Sequence, residues 1–147
     1  MRLAYEMERT LTYGERSSIK MIRYSPEYQE EYKRVYNECF REMRRALNIR
    51  PYDYIRDDSF FETEMDMVYL LTDEGEIVGS VKIKNNEIDD LIVNIKYQGL
   101  GYGRQILLWA LENIHTDKAV LHVAEWNKKA VSLYQKAGFE IIKTIEF

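Results

Sequence analysis

Cysteine is nearly absent from this chain: Cys39 is the only one in 147 residues. No intramolecular disulfide can form, and no cysteine cluster can hold zinc. Cys39 falls on the apolar stripe of a predicted helix, where a small buried hydrophobe is expected rather than a nucleophile. Histidine is almost as scarce. His115 and His122 lack ligand-like spacing, so no metal site is expected. No stretch approaches the roughly 18 apolar residues of a membrane span, and Met1 to Thr10 lacks the apolar centre of a signal peptide. A cytoplasmic protein without membrane association is expected. A basic excess is also missing. The net charge is −4 and the sequence pI about 5.3, whereas nucleic-acid binding draws on surplus cations; no nucleic-acid partner is expected.

Proline occurs twice, as Pro26 and Pro51, and no repeat, low-complexity tract or Pro/Gly-rich linker divides the chain. The length suits one domain over residues 1–147. Hydrophobic residues at 46% are enough for one core.

What is present is a sequence of alternating periodicities. Ile19 to Tyr24 reads as a short strand. From Tyr28 the apolar positions Tyr32, Val35, Tyr36, Cys39, Phe40, Met43 and Leu47 step by three and four, as one face of a helix does. Ser25 before Pro26 predicts its N-cap. Arg50 to Thr63 is ambiguous and reads as loop plus a short helix. Met67–Thr72, Ile77–Lys84 and Glu87–Asn94 follow as strands joined by the polar turns Asp73–Glu76 and Asn85–Asn86. Helical spacing returns after Gly101. A short apolar strand, Ala119–Ala124, then precedes a helix over Asn127–Ala137, closed by Gly138, and a strand over Phe139–Phe147. The order predicts an α/β or α+β sandwich with a mixed sheet. The alternation in Leu3–Leu11 also suggests a strand.

Two stretches carry chemistry. In the first, Gln98-Gly99-Leu100-Gly101-Tyr102-Gly103-Arg104 lies between a strand and an amphipathic helix. Three glycines remove side chains where backbone N–H groups can converge on an anion, and the helix N-terminus adds unpaired donors. Arg104 offers a charge-assisted contact. This geometry suits a diphosphate; the alternative is that the glycines only make a turn and let the helix pack closely. The Walker spacing is absent, and Gly-x-Gly-x-Gly is not the dinucleotide fingerprint. In the second stretch, Asn127 is a good N-cap and Tyr134 lies two turns further along the same helical face.

Gln98-x-x-Gly101-x-Gly103 after an apolar strand resembles the acetyl-coenzyme A motif of the GNAT superfamily of N-acetyltransferases. Asn127-x-x-Ala130-x-x-Leu133-Tyr134-x-x-x-Gly138-Phe139 resembles its second signature, about 24 residues on. The resemblance covers roughly Met67 to Phe147; the first third matches only in its strand-helix order. It implies a mixed, mostly antiparallel sheet of about six or seven strands, splayed at its centre and flanked by about four helices. It implies acetyl-CoA as co-substrate and no metal. The coenzyme would lie where Glu87–Asn94 splays from the parallel strand Ala119–Ala124. Backbone of Leu91, Ile92 and Val93 would pair with the pantetheine arm, Gln98 to Arg104 would hold the pyrophosphate, Asn127 would touch the arm, and Tyr134 would point at the thioester sulfur.

A thioester is already activated, so an amine can attack it without a protein nucleophile. Tyr134 is the candidate acid, since a phenol near ~10 can protonate a thiolate whose thiol titrates near ~8.5. For the base, the resemblance points first to Glu87, eleven residues before Gln98, and second to Asp90; other relatives use a carboxylate near 89 or 90, or water. A backbone N–H of Val93 or a neighbour would meet the developing oxyanion. Strand alternation places 87, 89, 91 and 93 on one face and 88, 90 and 92 on the other. The acceptor is an amine of a small molecule, peptide or protein. Tyr28, Tyr32, Tyr36, Tyr52 and Tyr54 are candidates to line part of its pocket, although most are expected to pack in the core, and Glu62, Glu64 and Asp66 form a solvated acidic run that could attract a cation. A non-catalytic acyl-CoA-binding regulatory module is the alternative function on the same fold, and a nucleotide-binding α/β module is a rival from another class.

One feature departs from the family. Relatives end with two strands after the Gly-Phe step, the last inserted beside the strand equivalent to Ala119–Ala124; here one strand follows. Leu3–Leu11 resembles the missing strand. It is expected to take that place, in cis or from a partner subunit as an exchanged strand in a homodimer. An added edge strand or a loose tail is the other option.

Overall fold

The structure, a computed structural model, describes residues 1–11 and 14–147. In chain order its elements are β1 (Leu3–Thr10), β2 (Ile22–Arg23), α1 (Gln29–Ala46), β3 (Val68–Asp73), β4 (Glu76–Lys84), β5 (Glu87–Val93), α2 (Tyr102–Glu112), β6 (Lys118–Ala124), α3 (Lys128–Lys136) and β7 (Glu140–Glu146). The strands form one sheet in the order β2-β3-β4-β5-β6-β1-β7. All neighbours are antiparallel except β5 and β6.

Adjacent residues of the same strands feed two cores, one on each face. Leu70 and Ile77 pack with Tyr32, Val35 and Tyr36 of α1 and with Ile92. Leu71 and Val78 pack with Ile106, Leu107 and Ala110 of α2 and with Tyr134 of α3. Helix α1 therefore covers one face, and α2 and α3 the other. Among the described residues there are three α-helices, against about four expected. The difference lies in the ambiguous segment. Its short helix is a 3-10 turn, Asp58–Glu62, started by the Asp57 carboxylate accepting from the Ser59 N–H at 2.9 Å. Ser25 does not cap α1. Pro26–Tyr28 winds into a 3-10 turn first, and the Ser25 hydroxyl donates to Glu27 at 3.0 Å.

Strand β1 fills the expected gap within the one chain. Ala4 to Thr10 pair with Ala124 to Lys118 of β6, and Leu3 to Glu8 pair with residues 146 to 140 of β7. Met7 is fully buried there. It is an interior strand, neither an edge strand nor a loose tail.

The centre of the sheet is where β5 stops behaving as a regular strand. Ser80 opposes Ile92 and Lys82 opposes Asp89, so Asp90 and Leu91 together face Val81, which is a β-bulge. Asp90 has φ +46, a left-handed conformation that aspartate tolerates better than most residues. The bulge breaks the expected alternation. Ile88 packs in the α2-side core, whereas Ile92 packs under α1, although period two alone would place them on one face. The parallel pairing of β5 with β6 covers only Glu87↔Val120 and Ile88↔Leu121. Beyond Ile88 the two strands diverge.

Candidate active site

The divergence opens a cleft of about 660 Å³. Its walls come from both faces of the sheet: Phe40 and Met43 of α1, Leu91 to Val93 of β5, Gln98 to Gly103 of the glycine turn (without Leu100), and Asn127, Leu133 and Tyr134 around α3. Most of the residues expected to hold a coenzyme are thus brought together. Leu100 is instead 69% exposed, and the Arg104 guanidinium pairs with Glu15. Of Arg104, its backbone N–H remains available to the turn.

The turn is built for close approach. Gly99 and Gly101 have φ of +80 and +88 with nothing near their missing side chains, a conformation glycine adopts without strain. The first bond of the α2 ladder is Gln105 N–H to Gly101 O at 3.3 Å. The N–H groups of Tyr102, Gly103 and Arg104 precede it and carry the positive end of the helix dipole. A diphosphate fits this cradle. Sequence reasoning missed Trp126, Lys128 and Lys129, which also line the cleft. Two lysines and no acid in the first turn of α3 oppose the helix dipole, and that mismatch is the signal that could have found them.

Along β5 the backbone is divided between two edges. The Asn94 N–H donates to Val78 at 2.8 Å, so ladder alternation assigns the groups of Ile92 to β4 and turns those of Val93 to the cleft. The Val93 carbonyl accepts from Gln98 Nε2 at 2.9 Å and from Cys39 Sγ at 3.1 Å. Of the three residues expected to pair with an extended ligand, Ile92 therefore offers its side chain and not its backbone. Burial pushes the Cys39 thiol up to about 12, which keeps it from acting as a thiolate.

Tyr134 sits on the cleft wall with 8% of its surface exposed, and its hydroxyl has no hydrogen-bond partner among the described residues. Burial, and next the charge of Asp89, push its phenol up to about 12. Asn127 caps α3, its Oδ1 accepting from the Ala130 N–H at 3.3 Å.

The candidate bases separate. Glu87 lines no cavity described here; its Oε1 lies 3.4 Å from His122 Nδ1, and His122 Nε2 lies 3.0 Å from Glu6. Asp90 sits on the bulge, accepts from the Tyr36 hydroxyl at 3.4 Å, and lines a second cavity of about 460 Å³ under α1. Burial first, then the neighbouring charge of Asp89, raise its carboxyl to about 7. Among the aromatic candidates Tyr32, Tyr36 and Tyr54 line this second cavity, while Tyr28 and Tyr52 do not. Of the acidic run only Glu64 reaches it, engaged with Lys82 and Lys84.

The chain matches the family model described as Acetyltransferase (GNAT) family over residues 21–139. No curated protein matches it in sequence. Among solved structures it resembles a GNAT-family chain from Novosphingobium aromaticivorans, at 12% identity and a TM-score of 0.69, covering 97% of this chain and 61% of that one. A GCN5-related N-acetyltransferase from Sphaerobacter thermophilus matches at 21% identity and 0.59, covering 97% and 49%. An N-acetyltransferase from Staphylococcus aureus matches at 15% identity and 0.68, covering 87% and 94%. This chain thus spans less than two thirds of the first two. At these identities the neighbours show the fold alone. Among the described residues no helix is long and apolar enough to cross a membrane.

Proposed function

We propose, from the premise that this chain belongs to the acetyltransferase (GNAT) family, that it transfers an acetyl group from acetyl-CoA to a primary amine by direct attack with both substrates bound. One observation carries the reading: a single cleft through the sheet joins the unpaired N–H groups of the glycine turn to the Tyr134 phenol.

Bound acetyl-CoA supplies the activated thioester, and the residues of this chain do the rest. The N–H groups of Tyr102, Gly103 and Arg104 hold the pyrophosphate, with Lys128 and Lys129 adding positive charge along the cleft. The Val93 N–H donates to the acetyl oxygen as it gains charge. Asp90 takes the proton of the attacking amine, directly or through a water. A carboxyl raised to about 7 is a far better proton acceptor than an ordinary one and is ionised in a large fraction at neutral pH. Tyr134, held protonated, donates to the departing sulfur. Asp90 is preferred over Glu87 because Glu87 is drawn to His122 and lies outside both cavities.

Calorimetric titration with acetyl-CoA, ATP and NAD, followed by thiol release with a panel of amines, tests this. Tight binding of acetyl-CoA alone and amine-dependent thiol release are expected. Binding without release for every amine would favour an acyl-CoA-binding regulatory module; binding of ATP or NAD in preference would remove the coenzyme assignment.

A further inference from the structure

The second cavity has a composition of its own. Tyr36, Tyr54 and Phe60 form one wall, with ring centroids 6.2 Å apart for Tyr36–Tyr54, 5.4 Å for Tyr36–Phe60 and 6.1 Å for Tyr54–Phe60. Met65 and Val68 extend the apolar surface. Such a wall favours a flat apolar body, and the ring faces also attract a cation.

Charge in the cavity is unevenly committed. Glu64 is paired with both Lys82 and Lys84, the latter at 2.8 Å. Among the described lining residues, Asp89 and Asp90 are the carboxylates outside any ion pair. They stand together at the bulge, and the charge of Asp89 reaches the Tyr134 phenol. The cavity therefore has one negative locus, on the part of β5 that continues through Leu91 and Ile92 into the wall of the first cleft. Lys82, which opposes Asp89 across the β4–β5 pairing, is the lysine lining the cavity and would repel a second ammonium on the same ligand.

Size points the same way. The segment carrying Tyr54, Ser59, Phe60 and Thr63 walls one side of the space, whose volume of about 460 Å³ is within the range of small-molecule pockets.

Resting on the acetyl-transfer reading above, we infer that the acceptor is a compact primary monoamine with an aromatic or similarly apolar body, and not a polyamine or a protein lysine. Its ammonium sits against Asp90 and Asp89, and its body lies on the rings of Phe60, Tyr54 and Tyr36. The amine nitrogen bonds to the acetyl carbon, the carbon–sulfur bond breaks, the amine proton passes to Asp90, and free coenzyme A leaves.

The test compares 2-phenylethylamine, spermidine and a lysine-containing peptide at saturating acetyl-CoA, with acetyl-CoA binding measured separately by calorimetry. The expected kcat/KM for 2-phenylethylamine exceeds that of the other two by about tenfold or more, on the scale of one well-packed aromatic contact. Phe60→Leu, which keeps bulk and removes the ring, raises KM for 2-phenylethylamine several-fold and leaves KM for acetyl-CoA unchanged; Tyr54→Leu does the same should the first variant not fold. Preference for spermidine or the peptide, an unmoved KM in the ring variants, or no turnover of any of the three despite acetyl-CoA binding, overturns the inference. Failure of acetyl-CoA to bind would instead strike the reading on which it rests.

Discussion

Asn37 holds Ile55 by both of its backbone groups: Nδ2 donates to the Ile55 carbonyl at 2.8 Å, and Oδ1 accepts from the Ile55 N–H at 2.9 Å. Both residues are buried, at 8% and 2% exposure. One side chain on α1 thereby fixes the segment that lines the second cavity.

Asn37→Ala leaves two buried backbone groups without partners, which costs about 1–3 kcal/mol for each unsatisfied group. The melting temperature is expected to fall. KM for the acceptor should rise more than KM for acetyl-CoA, because the glycine turn is untouched. Equal effects on both constants in steady-state kinetics would show that Asn37 supports the whole fold and not this segment.

Asp90 makes a pH prediction with a definite sign. Its folded carboxyl is raised to about 7, above the unfolded value near ~3.9. Between those values the folded state binds the extra proton, so this group lowers stability as pH rises from about 4 to about 7. Asp90→Asn should therefore melt higher than the parent at pH 8, with the gain fading on acidification. Activity runs the other way. The kcat/KM of the parent should rise through an apparent pKa near 7, and in Asp90→Asn that limb should disappear along with most of the rate. A retained limb in the pH profile would pass the role to another group.

Tyr134→Phe removes the proton donor and little packing. A general acid contributes ~10²–10⁴ in rate. The loss should fall in that range or somewhat below it, since a phenol raised to about 12 is a reluctant donor. Acetyl-CoA affinity should hold. Undiminished turnover across pH 6 to 9 would dismiss the acid role.

Two glycines should respond in opposite ways to the same substitution. A Cβ at Gly79 would lie 2.5 Å from Ile106 Cδ1 and 2.8 Å from the Ile92 carbonyl oxygen, so Gly79→Ala must displace the strand next to the bulge, at ~1–3 kcal/mol. At Gly103 the nearest atoms are 3.6 Å and 3.7 Å away, an ordinary contact. Gly103→Ala should melt like the parent and bind acetyl-CoA about tenfold or more weakly, because its methyl stands beside Val93 and Leu133 on the cleft wall where the coenzyme is proposed to lie. Thermal melts and calorimetry on both variants check the contrast.

Much of this arrangement is legible in the sequence because it depends on local chemistry. Glycine spacing, the Asn127 cap and helical periodicity act within a few residues, and they locate the turn, α3 and Tyr134. The empty place in the sheet and the strand that fills it could be read by resemblance, since β1 alternates in the usual way. The bulge could not. No glycine or proline in Glu87 to Val93 marks it, and the left-handed conformation of Asp90 comes with the register shift against β4. That single extra residue moves Ile92 under α1, and it overturns the face assignment made from alternation alone. The second cavity was legible only in part, through Tyr32, Tyr36 and Tyr54. Its walls come from α1, β4, β5 and the segment around Phe60, and tertiary contacts such as Asn37–Ile55 set their distances.

A ribosome makes Leu3–Thr10 well before the two strands that flank it. More than a hundred further residues must be added before Lys118–Ala124 and Glu140–Glu146 can emerge on either side. Until then Met7 has no interior to enter, and the eight-residue strand carries unpaired hydrogen-bonding groups on both of its edges. Assembly of this part of the sheet therefore waits until Glu140–Glu146 has been made. A nascent chain paused before residue 140 would be the species most in need of a chaperone.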